Sequence, residues 1–260
     1  MNTSQENGTP LLAVENITKA FGAVQALKGV SFTVNHGEVV ALVGDNGAGK
    51  STLVKIISGI HQPSSGRFLL NGQPCQFETP AEALAAGIET VYQDLALIEQ
   101  LDVADNVFLG REVTRGGWLG RFLGWLDRPR MQQDTAAALS RLHIKIPAPT
   151  LAVRRMSGGQ RQAVAIGRAV TWGRELLILD EPTAALGVEE TEQVLKLIED
   201  LRDKGLTFLI ISHNMQDVYR IADKVVVLRQ GRHVATLRKT ETSPEEIVGY
   251  ITGAKAPQQQ

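Results

Sequence analysis

The sequence contains little cysteine, no long apolar run and almost no net charge. Cys75 is the only cysteine among 260 residues, which excludes an intrachain disulfide and a multi-cysteine zinc site. No run approaches the roughly 20 apolar residues that a membrane-spanning helix needs. The 27 Lys and Arg residues balance 28 Asp and Glu residues, which excludes a strong attraction of the whole chain to nucleic acid or to an anionic membrane. These absences favour a globular protein of a reducing compartment and leave its chemistry open.

Apolar runs typical of β-strands recur along the chain, and segments with a helical pattern separate them. Continuous runs such as 176–180 and 207–212 predict strands buried on both faces, and Asn71-Gly72 after an apolar run predicts a hairpin turn. This alternation predicts an α/β fold with a mainly parallel sheet and an antiparallel β portion. Residues 94–173 are mostly helical in pattern. We therefore expect one domain over 8–254, with a core of 8–93 and 174–254, an inserted helical subdomain of 94–173, and disordered tails that include 255–260.

The most specific motif is GDNGAGKST at 44–52, which follows a buried strand and precedes a helix. It matches the phosphate-binding pattern G-x-x-x-x-G-K-[ST], which arises by chance in roughly one chain of this length per hundred. Its glycines let backbone N–H groups face a phosphate, Lys50 reaches the β- and γ-phosphates, and Ser51 offers a hydroxyl to Mg²⁺. The sequence therefore predicts a nucleotide site made by Gly44, Asp45, Asn46, Gly47, Ala48, Gly49, Lys50, Ser51 and Thr52.

Two carboxylates end the apolar run LLILDE at 176–181. Ligands bind at the carboxyl ends of parallel strands, so Asp180 is a candidate for holding Mg²⁺, and Glu181 for orienting or deprotonating an attacking water. The run alone is explained about equally well by turn-forming residues at a solvated strand end. The phosphate-binding loop in the same chain favours the metal-binding and catalytic interpretation.

A second glycine-rich turn, MSGGQ at 156–160, opens a helix shortly before this run. Two glycines at a helix start leave backbone N–H groups accessible to an anion. The alternative for the tetrapeptide by itself is a helix cap made by Ser157 and Gln160.

The order of these motifs resembles the ATP-binding subunits of ABC transporters, from about Leu11 to Gly253. GDNGAGKS is similar to their Walker A motif, LLILDE to Walker B and MSGGQ to the signature. Gln93 lies where the family has its Q-loop, His213 at the switch histidine, and Phe21 where an aromatic ring stacks on adenine. Taken singly, these three residues are explained better as ordinary polar or core residues.

The resemblance implies a P-loop NTPase fold of RecA-like type and an ATPase that uses ATP and Mg²⁺. It implies that Glu181, His213, Gln93 and Lys50 are catalytic, that Ser51, Gln93 and Asp180 serve the metal, and that Phe21 and the loop 44–52 bind ATP together with the signature Ser157, Gly158, Gly159 and Gln160. Because the chain has one Walker A and one signature, the resemblance implies a head-to-tail homodimer, in which Ser157 and Gly159 of one chain meet the γ-phosphate held by the other. Gly187 departs from the family, which usually has Asp there.

The form PTAALGVEE at 182–190 is similar to importers of ribose, xylose and fructose. It implies transport of a small sugar through two permease subunits, with an external sugar-binding protein acting indirectly and no nucleic acid, at the cytoplasmic face of the membrane. The alternatives are import of another solute, a soluble ABC ATPase and a P-loop kinase. A tryptophan-containing segment, 111–130, has five arginines against two acidic residues and places Trp118, Phe122 and Trp125 at helical spacing. It fits an arm packed on the helical subdomain better than a contact with the permease or lipid.

Overall fold

The computed structural model describes residues 8–116, 122, 124–142, 144, 146, 148–173 and 175–258. Trp118 and the ends 1–7 and 259–260 lie outside the described residues. Contacts divide the chain into two compact units. One runs up to Thr90 and adds Gly173–Glu181 and the chain from Arg202 onward, and the other is Val91–Trp172 with Pro182–Leu201. The second unit therefore includes residues 182–201, which the sequence prediction assigned to the core.

The first unit is built on two sheets. Its strands are β1 Leu12–Phe21, β2 Val24–Val34, β3 Val39–Val43, β4 Ser65–Leu70, β5 Gln73–Cys75, β6 Ile88–Val91, β7 Leu176–Asp180, β8 Thr207–Ile211, β9 Lys224–Arg229 and β10 Arg232–Arg238. The first sheet has the order β2-β1-β4-β5, and the second has the order β10-β9-β3-β8-β7-β6. The first is antiparallel throughout, whereas β3 pairs in parallel with β8 and β9, and β7 with β8. Both the mainly parallel sheet and the antiparallel portion expected from the sequence are confirmed.

The parallel strands form the centre of the core because apolar side chains cover both of their faces. Every residue of β3 and β8 is buried, as are the first four of β7. The antiparallel sheet differs: Phe32 and Val34 of β2 are buried while Thr33 is exposed, which is the expected one-sided pattern. At the predicted hairpin, Asn71 and Gly72 both adopt left-handed φ angles, of 51° and 76°, as a two-residue turn between β4 and β5 requires.

The helices in the described part of this unit are α1 Lys50–Ile57, α2 Pro80–Ala85, α7 Met215–Ile221 and α8 Pro244–Thr252. The caps predicted from the sequence are present, with Thr79 Oγ1 accepting from Glu82 N and Ser243 Oγ accepting from Glu246 N. The predicted disorder of the C-terminal tail is wrong as far as Gln258. The backbone N–H of Gln258 donates to Val234 O, and its side chain accepts from Thr236 N, so the tail covers the edge strand β10.

The second unit is helical, with α3 Val103–Val107, α4 Arg128–Arg141, α5 Gly158–Trp172, most of α6 Val188–Arg202 and a 3₁₀ turn at Val153–Arg155. Helix α5 packs closely on α4 at Gly167, where an added Cβ would lie 2.5 Å from Leu139 Cδ2. Trp172 packs edge-on against Phe108, and its indole N–H donates to Val107 O. The tryptophan-containing segment is only partly described, and there Phe122 and Trp125 are exposed.

Candidate nucleotide site

The loop between β3 and α1 forms a curled backbone whose shape requires glycine at two positions. Gly44 has a φ of 150°, and a Cβ there would lie 2.2 Å from the carbonyl oxygen of Leu228. Gly49 has a φ of 102°, and a Cβ would lie 2.7 Å from Leu27 Cδ2 and 3.0 Å from Ala26 O. Side chains are therefore excluded by both conformation and space, and the backbone N–H groups stay accessible.

Lys50 begins α1, and its side chain is held inside this loop. Its Nζ donates to Gly44 O at 2.7 Å and to Asp45 O at 3.1 Å. An ammonium group has three donors, so these two bonds fix its position and leave one donor for a phosphate oxygen. Burial lowers the pKa of Lys50, while the charges of Glu181, Asp45 and Asp180 oppose that shift. An anionic group bound beside Lys50 would therefore stabilise its charged form.

The remaining loop residues surround a cavity of about 180 Å³, which also touches Ala26. Asp45, Asn46, Gly47 and Ser51 are exposed at its surface, and Ala48 is buried. Ser51 and Thr52 lie in the first turn of α1, where the unpaired N–H groups of the helix start favour an anion. Seven of the nine predicted loop residues, from Asn46 to Thr52, thus line one cavity, and Gly44 and Asp45 are held beside it by their carbonyl bonds to Lys50.

The acidic pair lies at the carboxyl end of β7, as predicted. Burial raises the pKa of Asp180, and the neighbouring Glu181 raises it further, against the opposing charges of Lys50 and Lys55. Glu181 has a φ of 53°, a left-handed conformation that costs free energy in a residue with a side chain, and its backbone N–H donates to Ile211 O. The chain therefore turns sharply at Glu181, directly after the end of β7.

His213 follows β8, the neighbouring parallel strand, and reaches the second carboxylate. Its Nδ1 lies 2.7 Å from Glu181 Oε2, and its side chain is 74% exposed against 16% for that of Glu181. Ser212 Oγ accepts from Asn214 N, and the Asn214 side chain then caps α7, which fixes the backbone after the histidine. The strand ends thus present a carboxylate with an exposed imidazole bound to it.

Oxygen ligands for a magnesium ion are available beside the loop. Mg²⁺ is usually bound by one or two protein oxygens together with substrate phosphates and water. The Ser51 hydroxyl and the Asp180 carboxylate fit that requirement, and the raised pKa of Asp180 means that a cation would stabilise its ionised form. No cluster of three or more His, Cys, Asp or Glu side chains suited to a metal occurs among the residues described here. The metal would therefore depend on the phosphates as well.

Phe21, the predicted adenine-stacking residue, ends β1 with its ring 45% exposed. It packs edge-on against His61, and Lys19 Nζ lies 5.0 Å from the ring centre. One aromatic face is thus held in position at the surface of the first unit, as stacking on a base requires.

The signature turn lies in the second unit and forms the predicted capping box. Ser157 N donates to Gln160 Oε1, and Gln160 N donates to Ser157 Oγ. Gln93 also belongs to the second unit, where it is exposed.

Two further residues were missed by the sequence analysis. Arg168 donates to Leu95 O and Ala96 O, and so supports a turn after Gln93 in which both of those residues have positive φ angles. Glu190 contacts the signature turn itself. Neither contact has a local sequence signal, because each joins residues more than 30 positions apart.

Known proteins resemble this chain along most of its length. The family model described as "ABC transporter" matches residues 27–184. A fructose import ATP-binding protein of Rhizobium meliloti is 45% identical, over 95% of this chain and 96% of that protein. A xylose/arabinose import ATP-binding protein of Sulfolobus acidocaldarius is 47% identical, over 93% of this chain and 94% of that protein. The crystal structure of a nucleotide-free ATP-binding cassette from an ABC transporter has a TM-score of 0.77 at 28% identity, covering 94% of this chain and 95% of that one.

Proposed function

Because this chain belongs to the ABC transporter family of ATP-binding proteins, we propose that it hydrolyses ATP to drive the import of a small sugar. The observation that best supports ATP hydrolysis is the contact between Glu181 and His213 at the carboxyl ends of the parallel strands, where Lys50 also lies. A positioned carboxylate, an imidazole and a buried lysine on one edge are the groups that phosphoryl transfer to water needs.

Each group of the first unit has a defined part in that reaction. The backbone N–H groups of the loop and Lys50 bind the β- and γ-phosphates, and Phe21 stacks on adenine. Glu181 accepts a proton from the attacking water, and His213 holds that carboxylate and contacts the γ-phosphate. Ser51 and Asp180 would hold Mg²⁺, which would neutralise charge on the phosphates. Gln93 would serve the metal or the attacking water.

The signature turn makes the active form a head-to-tail dimer. One chain has one phosphate loop and one SGGQ turn, and a two-fold dimer pairs each loop with the turn of the other chain. Ser157 and Gly159 then donate to the γ-phosphate across the dimer, with Gly158 and Gln160 completing the turn.

Sugar import is supported by the names of the relatives that match nearly the whole chain, which are fructose and xylose/arabinose import ATP-binding proteins. Such a function requires permease subunits in the membrane, with a sugar-binding protein acting outside. No helix in the described parts of the chain is long and apolar enough to cross a membrane. We place the chain at the cytoplasmic face of the membrane, bound to two permease subunits.

The proposal is tested by purifying the tagged chain from its own cells in mild detergent. We expect a polytopic membrane protein to co-purify in equal amount, and radiolabelled sugar uptake to disappear when Glu181→Gln replaces the natural chain. The same variant measured without membranes tests ATPase activity alone. A chain that hydrolyses ATP fully, with no membrane partner and no effect on sugar uptake, would contradict the transport part and leave the ATPase part intact.

A further inference from the structure

The Glu190 side chain lies against the signature turn, and both belong to the second unit. Glu190 is the third residue of α6, and its carboxylate accepts a hydrogen bond from the Gly187 N–H, at 3.3 Å from N to Oε2. The same side chain packs against the signature glycines, with its Oε2 3.5 Å from the position of a Cβ on Gly158. The hydrogen-bonding groups of Ser157, Gly159 and Gly187 lower the pKa of Glu190, which favours the charged form of the carboxylate.

Both signature glycines lie close to α6 and the turn before it, and the packing leaves no room for a Cβ on Gly159. A Cβ on Gly159 would lie 2.9 Å from Glu190 Cβ, and a Cβ on Gly158 would lie 2.9 Å from Leu186 Cδ2 and 3.5 Å from Glu190 Oε2. The first turn of α5 therefore rests directly on the start of α6. Gly187, which stands where the family usually has Asp, is exposed, and a Cβ there would meet nothing within 4 Å. The contact that holds this turn is the bond from its N–H to Glu190.

An anionic group thus already lies against the signature turn in the single chain. Ser157 Oγ accepts from Gln160 N, and both its hydroxyl and the Gly159 N–H stabilise the charged form of Glu190. A phosphate that approaches this turn from another chain meets a negative charge on the groups that would bind it, and two anions on one set of donors repel each other.

We propose that Glu190 is a positioning residue that holds the signature turn in the free chain and competes with the γ-phosphate of the partner chain for the Ser157 and Gly159 donors. This inference rests on the proposed function, which supplies that phosphate. Release of the carboxylate then becomes part of ATP-driven dimerisation, and it raises the ATP concentration that dimerisation needs.

The test measures dimer formation against MgATP concentration by analytical ultracentrifugation, in a Glu181→Gln background that prevents hydrolysis. Glu190→Gln keeps the size of the side chain and removes its charge. Glu189→Gln is the matched control, because Glu189 is an exposed carboxylate in the same helical turn. We expect Glu190→Gln to lower the half-saturating ATP concentration about two- to fivefold, from the usual effect of one anion at a helix start, and Glu189→Gln to leave it unchanged.

The sign of the effect separates competition from a purely structural role. If Glu190 only stabilised the turn, the Glu190→Gln variant would need more ATP to dimerise. A half-saturating ATP concentration for Glu190→Gln that equals or exceeds that of Glu189→Gln overturns the inference. Glu190→Asp, which keeps the charge and shortens the reach, gives a second variant if melting curves show that the glutamine variant folds poorly, and it too should need less ATP. A failure of every variant to dimerise with ATP would instead contradict the proposed function, and this inference with it.

Discussion

Replacement of Glu181 by Gln should nearly abolish ATP hydrolysis while leaving the fold and ATP binding intact. The amide keeps the shape of the carboxylate and one oxygen acceptor for His213, 2.7 Å away in the native chain. It also keeps the left-handed backbone conformation at φ 53°, whose cost is about the same for Glu and Gln because their side chains have the same shape. What disappears is the ability to accept a proton from water.

The expected loss follows from that single change. A positioned base typically contributes about 10²–10⁴-fold, which corresponds to roughly 3–5 kcal/mol of barrier. Phosphate release from ATP should fall by this factor, whereas the melting temperature should stay within about 2 °C of the wild type.

Two controls make the result specific. Glu189→Gln removes an exposed carboxylate from α6 and should hydrolyse ATP at the wild-type rate within about twofold. If His213 acts through Glu181, the double variant Glu181→Gln/His213→Ala should be no slower than the slower single variant. Hydrolysis by Glu181→Gln within a few-fold of the wild type would refute the assignment of the base.

Three further changes test the nucleotide site. Lys50→Ala should weaken ATP but not adenosine in a calorimetric titration, because the ammonium lies in the loop at Gly44 O and makes no contact with the base; equal loss for both ligands would mean that the loop has collapsed. Phe21→Ala should weaken both ligands by roughly fivefold to a hundredfold, the usual range for stacking on one aromatic ring, and unchanged adenosine binding would remove Phe21 from the site. Asp180→Asn should raise the melting temperature at neutral pH, because burial raises the pKa of Asp180 and makes its ionised form costly in the folded chain. A raised pKa in the folded state means that stability is lost as pH rises above the unfolded pKa of about 4, so the gain should vanish below that pH; a gain that is independent of pH would contradict this explanation.

The parts of the molecule that the sequence predicts well are those with short-range signals. The parallel strands are short continuous apolar runs, which are typical of strands buried on both faces. The phosphate loop is fixed by glycines at positions 44 and 49, where a Cβ is excluded. The cap at Thr79 follows from residues three positions apart. In each case the residues that decide the structure are neighbours in the chain.

The features that were missed depend on contacts between distant residues. Gln258 binds the edge strand at Val234, and nothing in the polar tail itself signals that pairing. Arg168 supports the turn after Gln93 from a helix that starts 65 residues later, and Glu190 binds a turn that lies 33 residues earlier. A charged residue on a helix is expected from the sequence to have no partner but water, and only the packing of α5 against α6 shows that Glu190 lies against the signature turn.

The measurement that tests the central claim most directly is ATPase activity on mixing two inactive variants, Lys50→Ala and Ser157→Arg. In a head-to-tail dimer, the mixed dimer has one site that carries both defects and one site that pairs an intact Lys50 with an intact Ser157. Each mixed dimer should then reach about half of the wild-type rate, and random exchange of chains should restore about a quarter in the mixture. Full activity of Ser157→Arg alone would contradict the account, because the signature turn would then not reach a nucleotide.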